Sequence, residues 1–148
     1  MNVEICPFTM EAYDRVFALW TRSEGVGLSE ADAQEGIDVY LKRNPGMSFV
    51  AMAAGELVGA VLSGHDGRRG YIHHLTVDHR WRRRAVGRRL VDSCLAALQR
   101  AGIQKCHIFI FNQNADGIAF WKSVGWIPRD DIGVISKNIE TGRGSRNY

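Results

Sequence analysis

The sequence predicts an α/β fold in which helices flank a mixed central sheet. Strand-like and helix-like segments alternate in the order β-α-α-β-β-β-α-β-α-β(β). One amphipathic segment of helical length joins two strand-like runs, as in a β-α-β crossover. The composition, with 45% hydrophobic and 24% charged residues, is that of a globular protein rather than a disordered or fibrous one. Because 148 residues suit one domain, we expect a single domain over residues 1–148.

The first third of the chain predicts one strand followed by two helices. A short strand is expected over residues 2–7, and Thr9 is placed to cap a helix over about 10–22. A glycine-containing loop then leads to Ser29, which is expected to start a second, more acidic helix. That helix must end before Pro45, because the residue preceding a proline disfavours helical conformation.

Three consecutive strands are expected in the middle of the chain. Small and β-branched residues over 48–54 and 57–63, joined at Gly55-Glu56, predict a hairpin. A second turn, at residues 65–68, leads into a third strand over 71–77.

A crossover unit follows these strands. The segment over about 85–101 carries its apolar residues on one helical face and is closed by Gly102. The strand expected at 105–111 is apolar on both faces, which predicts a central position in the sheet. Because a helix separates it from strand 71–77, the two strands should be parallel.

The end of the chain predicts one more helix and further strand material. Asn114 is placed to cap a helix that closes at Gly125, and residues 126–137 are expected to form the last strand. The tail over 142–148 is expected to be frayed.

The location of the protein is expected to be cytoplasmic. No apolar run approaches the roughly 18 to 20 residues that a membrane helix needs, and the N-terminus lacks the regions of a signal peptide. The cysteines Cys6, Cys94 and Cys106 form no C-x-x-C pair and no metal-binding spacing. An odd cysteine count argues against a disulfide framework, so we expect reduced thiols, no metal and no membrane partner.

Six arginines are concentrated within ten residues. They are Arg80, Arg82, Arg83, Arg84, Arg88 and Arg89. Such a block indicates phosphate binding, nucleic-acid binding or a solvated helix end. Nucleic acid is the least favoured of these, because the charge is confined to one turn with only Trp81 as an aromatic platform.

The position of this block favours a phosphate or pyrophosphate ligand. In a β-α-β unit the start of the helix lies at the carboxyl edge of the sheet, where ligands usually bind. The small residues Ala85 and Gly87 allow a phosphate to approach the backbone N–H groups there. The G-x-x-x-x-G-K-[ST] pattern of an ATP-hydrolysing P-loop is absent.

Two motifs in the second half resemble those of the GNAT superfamily of N-acetyltransferases. The family's acetyl-CoA motif, Q/R-x-x-G-x-G/A, is similar to Arg82, Arg83, Arg84, Ala85, Val86 and Gly87, with alanine in place of the first glycine. The family's second motif, N-x-x-A-x-x-x-Y-x-x-x-G-F, resembles the segment from Asn114 to Trp126. The order of elements is similar over residues 2 to 138.

The resemblance implies acetyl-CoA as the acetyl donor and a primary amine of unknown identity as the acceptor. In this family the pantetheine arm enters a gap between two parallel strands, so the backbone of Leu75 and Val77 is expected to pair with its amides. The backbone from Arg83 to Arg88 is expected to hold the pyrophosphate. Asn114 is expected to contact the pantetheine arm, to cap the following helix, or both. Homodimers are common in the family.

The amine must lose a proton before it can attack, so a general base is expected. His73 and His74 lie on the strand that leads into the motif, and a neutral histidine accepts protons near pH 7. Because strand side chains alternate, only one of them is expected to face the cleft. We favour His73, which would share its face with Leu75 and Val77, and keep His74 as the second candidate. Ordered water is the alternative to both.

Position 121 differs from the family pattern. Many relatives have a tyrosine there that can protonate the departing thiolate, whereas Trp121 offers only an indole N–H. A catalytic contact by Trp121 with the thiol is still expected. The departure leaves open a second function for the same fold, a non-catalytic acyl-CoA-binding module.

The acceptor-binding residues are less well defined by the sequence. Glu24, Glu30 and Asp32 lie near the loop between the first two helices, which usually helps to shape the acceptor site in this family. Surface acidic residues without a specific role are the alternative.

Overall fold

The computed structural model describes residues 2–139. Five strands are present in this range: β1 (Glu4–Pro7), β2 (Phe49–Ala53), β3 (Glu56–His65), β4 (Gly70–Val77) and β5 (Cys106–Ile108). The α-helices of the same range are α1 (Tyr13–Thr21), α2 (Gln34–Arg43), α3 (Val86–Arg100) and α4 (Ala115–Ser123). Single 3₁₀ turns occur at Met10–Ala12, Glu30–Asp32 and His79–Trp81.

The strands form one mixed sheet in the order β1-β2-β3-β4-β5. The first three pairings are antiparallel, and β4 pairs with β5 in parallel. This confirms the predicted α/β class and the predicted parallel crossover from β4 through α3 to β5. The expected hairpin at Gly55-Glu56 is confirmed as well, and β3 extends to His65.

The chain divides into two compact units at the boundary between Asn114 and Ala115. The first holds the whole sheet with α1, α2 and α3, and the second holds α4 and the segment that follows it. That residues 1–148 constitute one domain stays a prediction.

Helices cover both faces of the sheet in the first unit. Trp20 and Leu19 of α1 and Ile37 of α2 pack on Val50 and on neighbouring residues of β3. Phe49, the neighbour of Val50, packs instead with Leu98 of α3. Since adjacent strand residues point to opposite faces, α1 and α2 cover one face and α3 covers the other. The apolar face predicted for α3 is buried, apart from the half-buried Leu95.

The helix starts differ in detail from those predicted. Thr9 precedes a 3₁₀ turn and makes no capping hydrogen bond through its side chain, so its predicted capping role is wrong. Ser29 does cap, since its hydroxyl accepts from the backbone N–H of Ala31, and Asp32 accepts in return from the N–H of Ser29. This capping box closes a 3₁₀ turn, and α2 begins only at Gln34.

The predictions for the last strands are wrong. β5 covers Cys106–Ile108 instead of 105–111, and it lies at an edge of the observed sheet rather than at its centre. No strand forms over 126–137 within the described residues. Without a further strand beside it, the apolar run beyond β5 leaves Phe109 and Phe111 exposed. The tail at 142–148 lies outside the described residues.

No helix within residues 2–139 is long and apolar enough to span a membrane. The cysteines Cys6, Cys94 and Cys106 are free thiols.

Candidate active site

Strand β4 continues beyond the end of its parallel partner. Pairing with β5 covers Gly70 to Ile72, and β5 ends at Ile108. Residues 73–77 of β4 therefore have no strand on that side within the described part of the chain. A strand edge of this kind presents backbone N–H and C=O groups that can pair with another extended molecule.

A β-bulge lies at the point where β4 passes the end of β5. His73 pairs with Leu62 of β3 and Thr76 pairs with Ala60, so one extra residue of β4 is accommodated between these pairs. His74 adopts the left-handed backbone region, with φ of 53°. Such a conformation is uncommon outside glycine, and it interrupts the alternation of side chains along β4.

The bulge brings both histidines to the face covered by α1 and α2. The His73 ring lies 6.0 Å from the Tyr40 ring of α2, and the His74 ring lies 5.1 Å from the Trp20 ring of α1. The two imidazole rings are 6.5 Å apart. The expectation that only one of them would face the cleft is wrong, because it assumed an unbroken two-residue period. The bulge likewise removes the basis for the face that His73 was expected to share with Leu75 and Val77.

His73 lies among aromatic rings. Its ring stacks on Tyr71 and Phe109, at centroid distances of 6.5 and 6.2 Å. The ring itself makes no hydrogen bond to another residue within 2–139. Burial, together with the neighbouring His74 charge, lowers the pKa of His73 below its ordinary value, although Asp32 acts in the opposite direction. His73 is therefore neutral at pH 7.

His74 is bound to a buried carboxylate. Its Nε2 lies 2.9 Å from Oδ1 of Asp32, a residue with 6% of its surface exposed. Burial alone would raise the pKa of Asp32, but hydrogen bonds from His74 and from the Ser29 backbone N–H outweigh burial and lower it. Asp32 is therefore ionised at neutral pH and links the loop between α1 and α2 to the bulge of β4.

The same loop approaches the segment that follows β5. A methyl group at Gly25 would lie 3.0 Å from the side-chain nitrogen of Asn114, and one at Gly27 would lie 2.9 Å from the Phe111 ring. The loop thus contacts β4 through Asp32 and the 111–114 segment through its glycines. It therefore connects β4 with the segment that follows β5.

Residues 78–88 lead from the end of β4 into the first turn of α3 and form the arginine turn. Its backbone conformation suits the binding of an anion. Arg83 and Ala85 both adopt the left-handed region with φ of 62°, and Ala85 provides no side-chain cap for α3. Left-handed residues alternating with others point successive N–H groups into a concavity that suits phosphate. The first N–H groups of α3 and the positive end of its dipole lie at the same place. Ala85 occupies a conformation that glycine would adopt without strain.

Four of the six arginine side chains contact other residues of the described range, and two do not. Arg80 contacts Asp78 and Glu56, Arg89 donates to the carbonyl of Val3 at 2.7 Å, and Arg84 stacks 4.9 Å above the Trp81 ring. Arg82 makes a long hydrogen bond of 3.4 Å to the carbonyl of Val77. The side chains of Arg83 and Arg88 are exposed and make no hydrogen bond or ion pair with any residue of the described range.

Asp78 fixes the start of this turn. Its side chain is nearly buried and accepts hydrogen bonds from the backbone N–H of Arg80 at 3.0 Å and from the guanidinium of Arg22 at 3.2 Å. Burial opposes ionisation, but the hydrogen bonds from Arg80 and Arg22 prevail and lower the pKa of Asp78 to about 2. A cavity of about 810 Å³ lies beside it, lined in part by Arg22, Glu24 and Arg82.

Trp121 lies in α4, within the second compact unit. It is buried, and its ring makes an edge contact with Trp126 at 4.7 Å. The predicted contact of Trp121 with a thiol is not tested by this arrangement.

The buried Cys94 and the partly buried Cys106 are poor nucleophiles. Burial raises the pKa of Cys94 to about 12 and that of Cys106 to about 11. Both are therefore protonated at neutral pH, and only a thiolate attacks efficiently.

A family model described as the acetyltransferase (GNAT) family matches residues 13–126. The chain belongs to this family. It is 26% identical over 137 residues to the acetyltransferase SG1711 of Sodalis glossinidius, which covers 93% of this chain and 96% of the relative. The family and this relative support acyl transfer as the general activity.

Solved structures show the same fold at low sequence identity. Ard1 from Thermoplasma volcanium superimposes with a TM-score of 0.76 and 22% identity, covering 86% of this chain and 84% of that one. The PaiA N-acetyltransferase from Thermoplasma acidophilum, solved in complex with coenzyme A, gives a TM-score of 0.75 at 18% identity, with 90% and 94% covered. These GNAT structures confirm the fold class.

The sequence did not predict the contact made by one acidic residue of the site, or any role for a second. Asp32 was one of three acidic candidates near the loop between α1 and α2, but its hydrogen bond to His74 spans 42 residues and has no local pattern. Asp78 was not considered, although an aspartate two residues before an arginine at the end of a strand is a recognisable capping signal.

Proposed function

We propose that this GNAT protein transfers an acetyl group from acetyl-CoA to a primary amine within a ternary complex. The observation that carries the proposal is the strand edge of β4 over 73–77, which leads directly into the arginine turn. A pantetheine arm is extended and carries amides, and a pyrophosphate is a compact anion. The β4 edge suits the pantetheine arm and the adjacent arginine turn suits the pyrophosphate, in the order in which these two groups are joined in coenzyme A.

The residues of this chain fit that donor. The backbone of Leu75 and Val77 would pair with the pantetheine amides, as a further strand pairs with a sheet edge. The backbone from Arg83 to Arg88, including Arg84, Ala85, Val86 and Gly87, would hold the pyrophosphate. The side chain of Arg82 and the exposed side chains of Arg83 and Arg88 would flank it and add charge-assisted hydrogen bonds. Asn114 lies across from the loop glycine Gly25 and would contact the pantetheine arm. The PaiA structure in complex with coenzyme A supports coenzyme A as a ligand of this fold.

The acceptor amine would be deprotonated at the histidine pair. A lysine-like ammonium has a pKa near 10.4, so a base that accepts its proton lowers the barrier to attack. His73 and His74 lie beside the end of β5, on the β4 face that meets α2 and the loop between α1 and α2. Direct attack on the thioester is favoured over an acetyl-enzyme because Cys94 and Cys106 are protonated.

The proposed leaving group is the thiolate of coenzyme A. A thiol with an ordinary pKa near 8.5 leaves without strong acid assistance. Trp121 can therefore replace the family tyrosine as a contact without supplying a proton.

The experiment that tests the proposal measures thiol release from acetyl-CoA with a panel of amines. Suitable probes are a peptide with a free N-terminus, a lysine peptide, spermidine and an aminoglycoside. We expect thiol release that depends on at least one amine, and mass spectrometry should show one added acetyl group on that amine. Without amine, the intact mass of the protein should remain unchanged.

Binding of acetyl-CoA without turnover on any amine would favour the second candidate, an acyl-CoA-binding module. Trp121 is the observation that favours this second candidate, because it stands where many relatives have a tyrosine that can act as an acid. A stable acetyl adduct on the protein would contradict direct transfer.

A further inference from the structure

The His74 imidazole is held by a hydrogen bond to Asp32, and Asp32 is itself held by further hydrogen bonds. Asp32 Oδ1 lies 2.9 Å from His74 Nε2, while its Oδ2 accepts from the Ser29 N–H at 3.0 Å. The Tyr13 hydroxyl donates to the backbone carbonyl of Asp32 at 2.7 Å. The imidazole also makes an edge-to-face contact with the Trp20 ring, at a centroid distance of 5.1 Å. This carboxylate cannot turn away from His74 without losing the capping box of the loop.

We propose that His74 is the general base of the reaction and that Asp32 is its positioning residue. The inference rests on the function proposed above and names which of the two histidines takes the proton. The loop between α1 and α2 then has two roles, because its glycines contact the 111–114 segment and its Asp32 orients the base.

The hydrogen-bond geometry fixes the tautomer of His74. An ionised carboxylate can only accept a hydrogen bond, so the neutral ring carries its proton on Nε2 and keeps the lone pair of Nδ1. When Nδ1 takes a proton, the positive ring remains in a charge-assisted hydrogen bond with Asp32. Nucleophilic sites commonly use a base that is held by a third group in this way.

His73 lacks such a partner. Its surroundings are the aromatic rings of Tyr40, Tyr71 and Phe109, which do not compensate a positive imidazole by a hydrogen bond. Burial lowers the pKa of His73, so protonation of that ring is disfavoured. Only His74 has a carboxylate that can stabilise the positive ring formed by proton transfer.

The proton and electron balance of the step is complete with the amine and the donor alone. Nδ1 of His74 removes one proton from the acceptor ammonium, leaving a neutral amine and an imidazolium. The amine lone pair then forms the C–N bond to the acetyl carbon, and the C–S bond electrons leave with sulfur. The nitrogen gives up a second proton, which neutralises the thiolate, and His74 returns its proton to solvent.

The test compares Asp32→Asn, His74→Ala and the double variant with the amine that gives turnover in the wild type. We expect His74→Ala to lower kcat by about 10²- to 10⁴-fold and Asp32→Asn to lower it by about 100-fold. The KM for acetyl-CoA should not change. In the His74→Ala background, Asp32→Asn should have almost no further effect on kcat, because Asp32 acts through His74.

Asp38→Asn is the matched control, since Asp38 is a partly exposed residue of α2 and pairs only with Lys42 within the described residues. A structural role of Asp32 in the capping box would lower kcat by the same factor with or without His74, and that result would overturn the proposal. Full activity of Asp32→Asn or of His74→Ala would also overturn it. Loss of activity in His73→Ala alone would transfer the role to His73.

A second readout does not depend on turnover. In ¹⁵N-labelled wild-type protein at a pH where imidazole is neutral, the nitrogen shifts of His74 should show a proton on Nε2 and a lone pair on Nδ1. A proton on Nδ1 would overturn the proposal even if acetyl transfer is observed. If no amine is acetylated while His74 shows the expected tautomer, the proposed function and the base role fail, and the pair between His74 and Asp32 stands as structure alone.

Discussion

Replacing Arg83 and Arg88 together by glutamate is expected to weaken acetyl-CoA binding by about 100-fold or more. Both side chains are exposed, and neither is engaged with another residue in the range 2–139. A hydrogen bond to a charged group contributes about 1.5 to 3 kcal/mol, so two of them account for a loss of this size. Calorimetric titration with acetyl-CoA measures the change.

The fold should tolerate this double substitution. Arg88 lies in the first turn of α3, where an acidic side chain is favoured by the helix dipole. The matched control is Arg15→Glu with Arg68→Glu, which changes the net charge equally at two exposed positions outside the site. Binding that weakens equally in both double variants would show only an effect of net charge. Unchanged affinity in R83E/R88E would remove the arginine turn from the proposed site.

Gly87→Glu is a more severe form of the same change. It places a longer side chain and a negative charge in the first turn of α3, where the pyrophosphate would lie. Because Gly87 is buried, the charge reversal at the two exposed arginines is the cleaner measurement.

Asp78→Asn is expected to lower the free energy of unfolding by about 2 kcal/mol at pH 7. The carboxylate accepts hydrogen bonds from Arg80 and Arg22, and a bond to a charged group contributes about this much. An asparagine amide would place hydrogen-bond donors towards the same guanidinium groups. Urea denaturation of both proteins gives the difference.

The pH dependence of this difference follows from the lowered pKa of Asp78. The pKa is about 2 in the folded protein, compared with about 3.9 in an unfolded chain. The stabilisation is therefore complete above the unfolded value and is lost as the pH falls from about 4 towards 2. The difference between wild type and Asp78→Asn should be equal at pH 7 and pH 5 and smaller at pH 3.

Asp92→Asn is the control for this series, because Asp92 is exposed on α3. Its effect should stay within about 0.5 kcal/mol, as for other surface substitutions. An Asp78→Asn protein as stable as the wild type at pH 7, or a difference that grows on acidification, would contradict the role of Asp78.

The sequence was most informative where local patterns determine structure. The apolar residues on one face of α3, together with the strands before and after it, predicted a parallel crossover. The arginine block at the start of this helix predicted an anion site there. Ala85 shows why the motif prefers glycine at its position, because the turn requires a left-handed backbone there. These features depend on neighbours within a few residues.

The histidine pair shows where such patterns fail. A single extra residue at the β4 bulge moves His73 and His74 to one face, and the alternation rule cannot indicate where a bulge occurs. The contact of His74 with Asp32 depends on how the loop between α1 and α2 folds over the sheet. Long-range contacts of this kind are set by tertiary packing.

The final strand failed for a different reason. Residues 126–137 contain β-branched side chains, yet they form no strand within the described chain, and β5 is an edge strand of only three residues. Strand propensity records how well a side chain fits a sheet surface, so it does not determine whether a pairing partner is present.

A crystal structure of the protein with bound coenzyme A tests the account most directly. We expect the pantetheine arm to lie along residues 73–77 of β4, with hydrogen bonds to the backbone of Leu75 and Val77. The pyrophosphate should lie within hydrogen-bond distance of the backbone N–H groups between Arg83 and Arg88. Coenzyme A bound elsewhere, or a β4 edge closed by another segment of the chain, would contradict the proposed site.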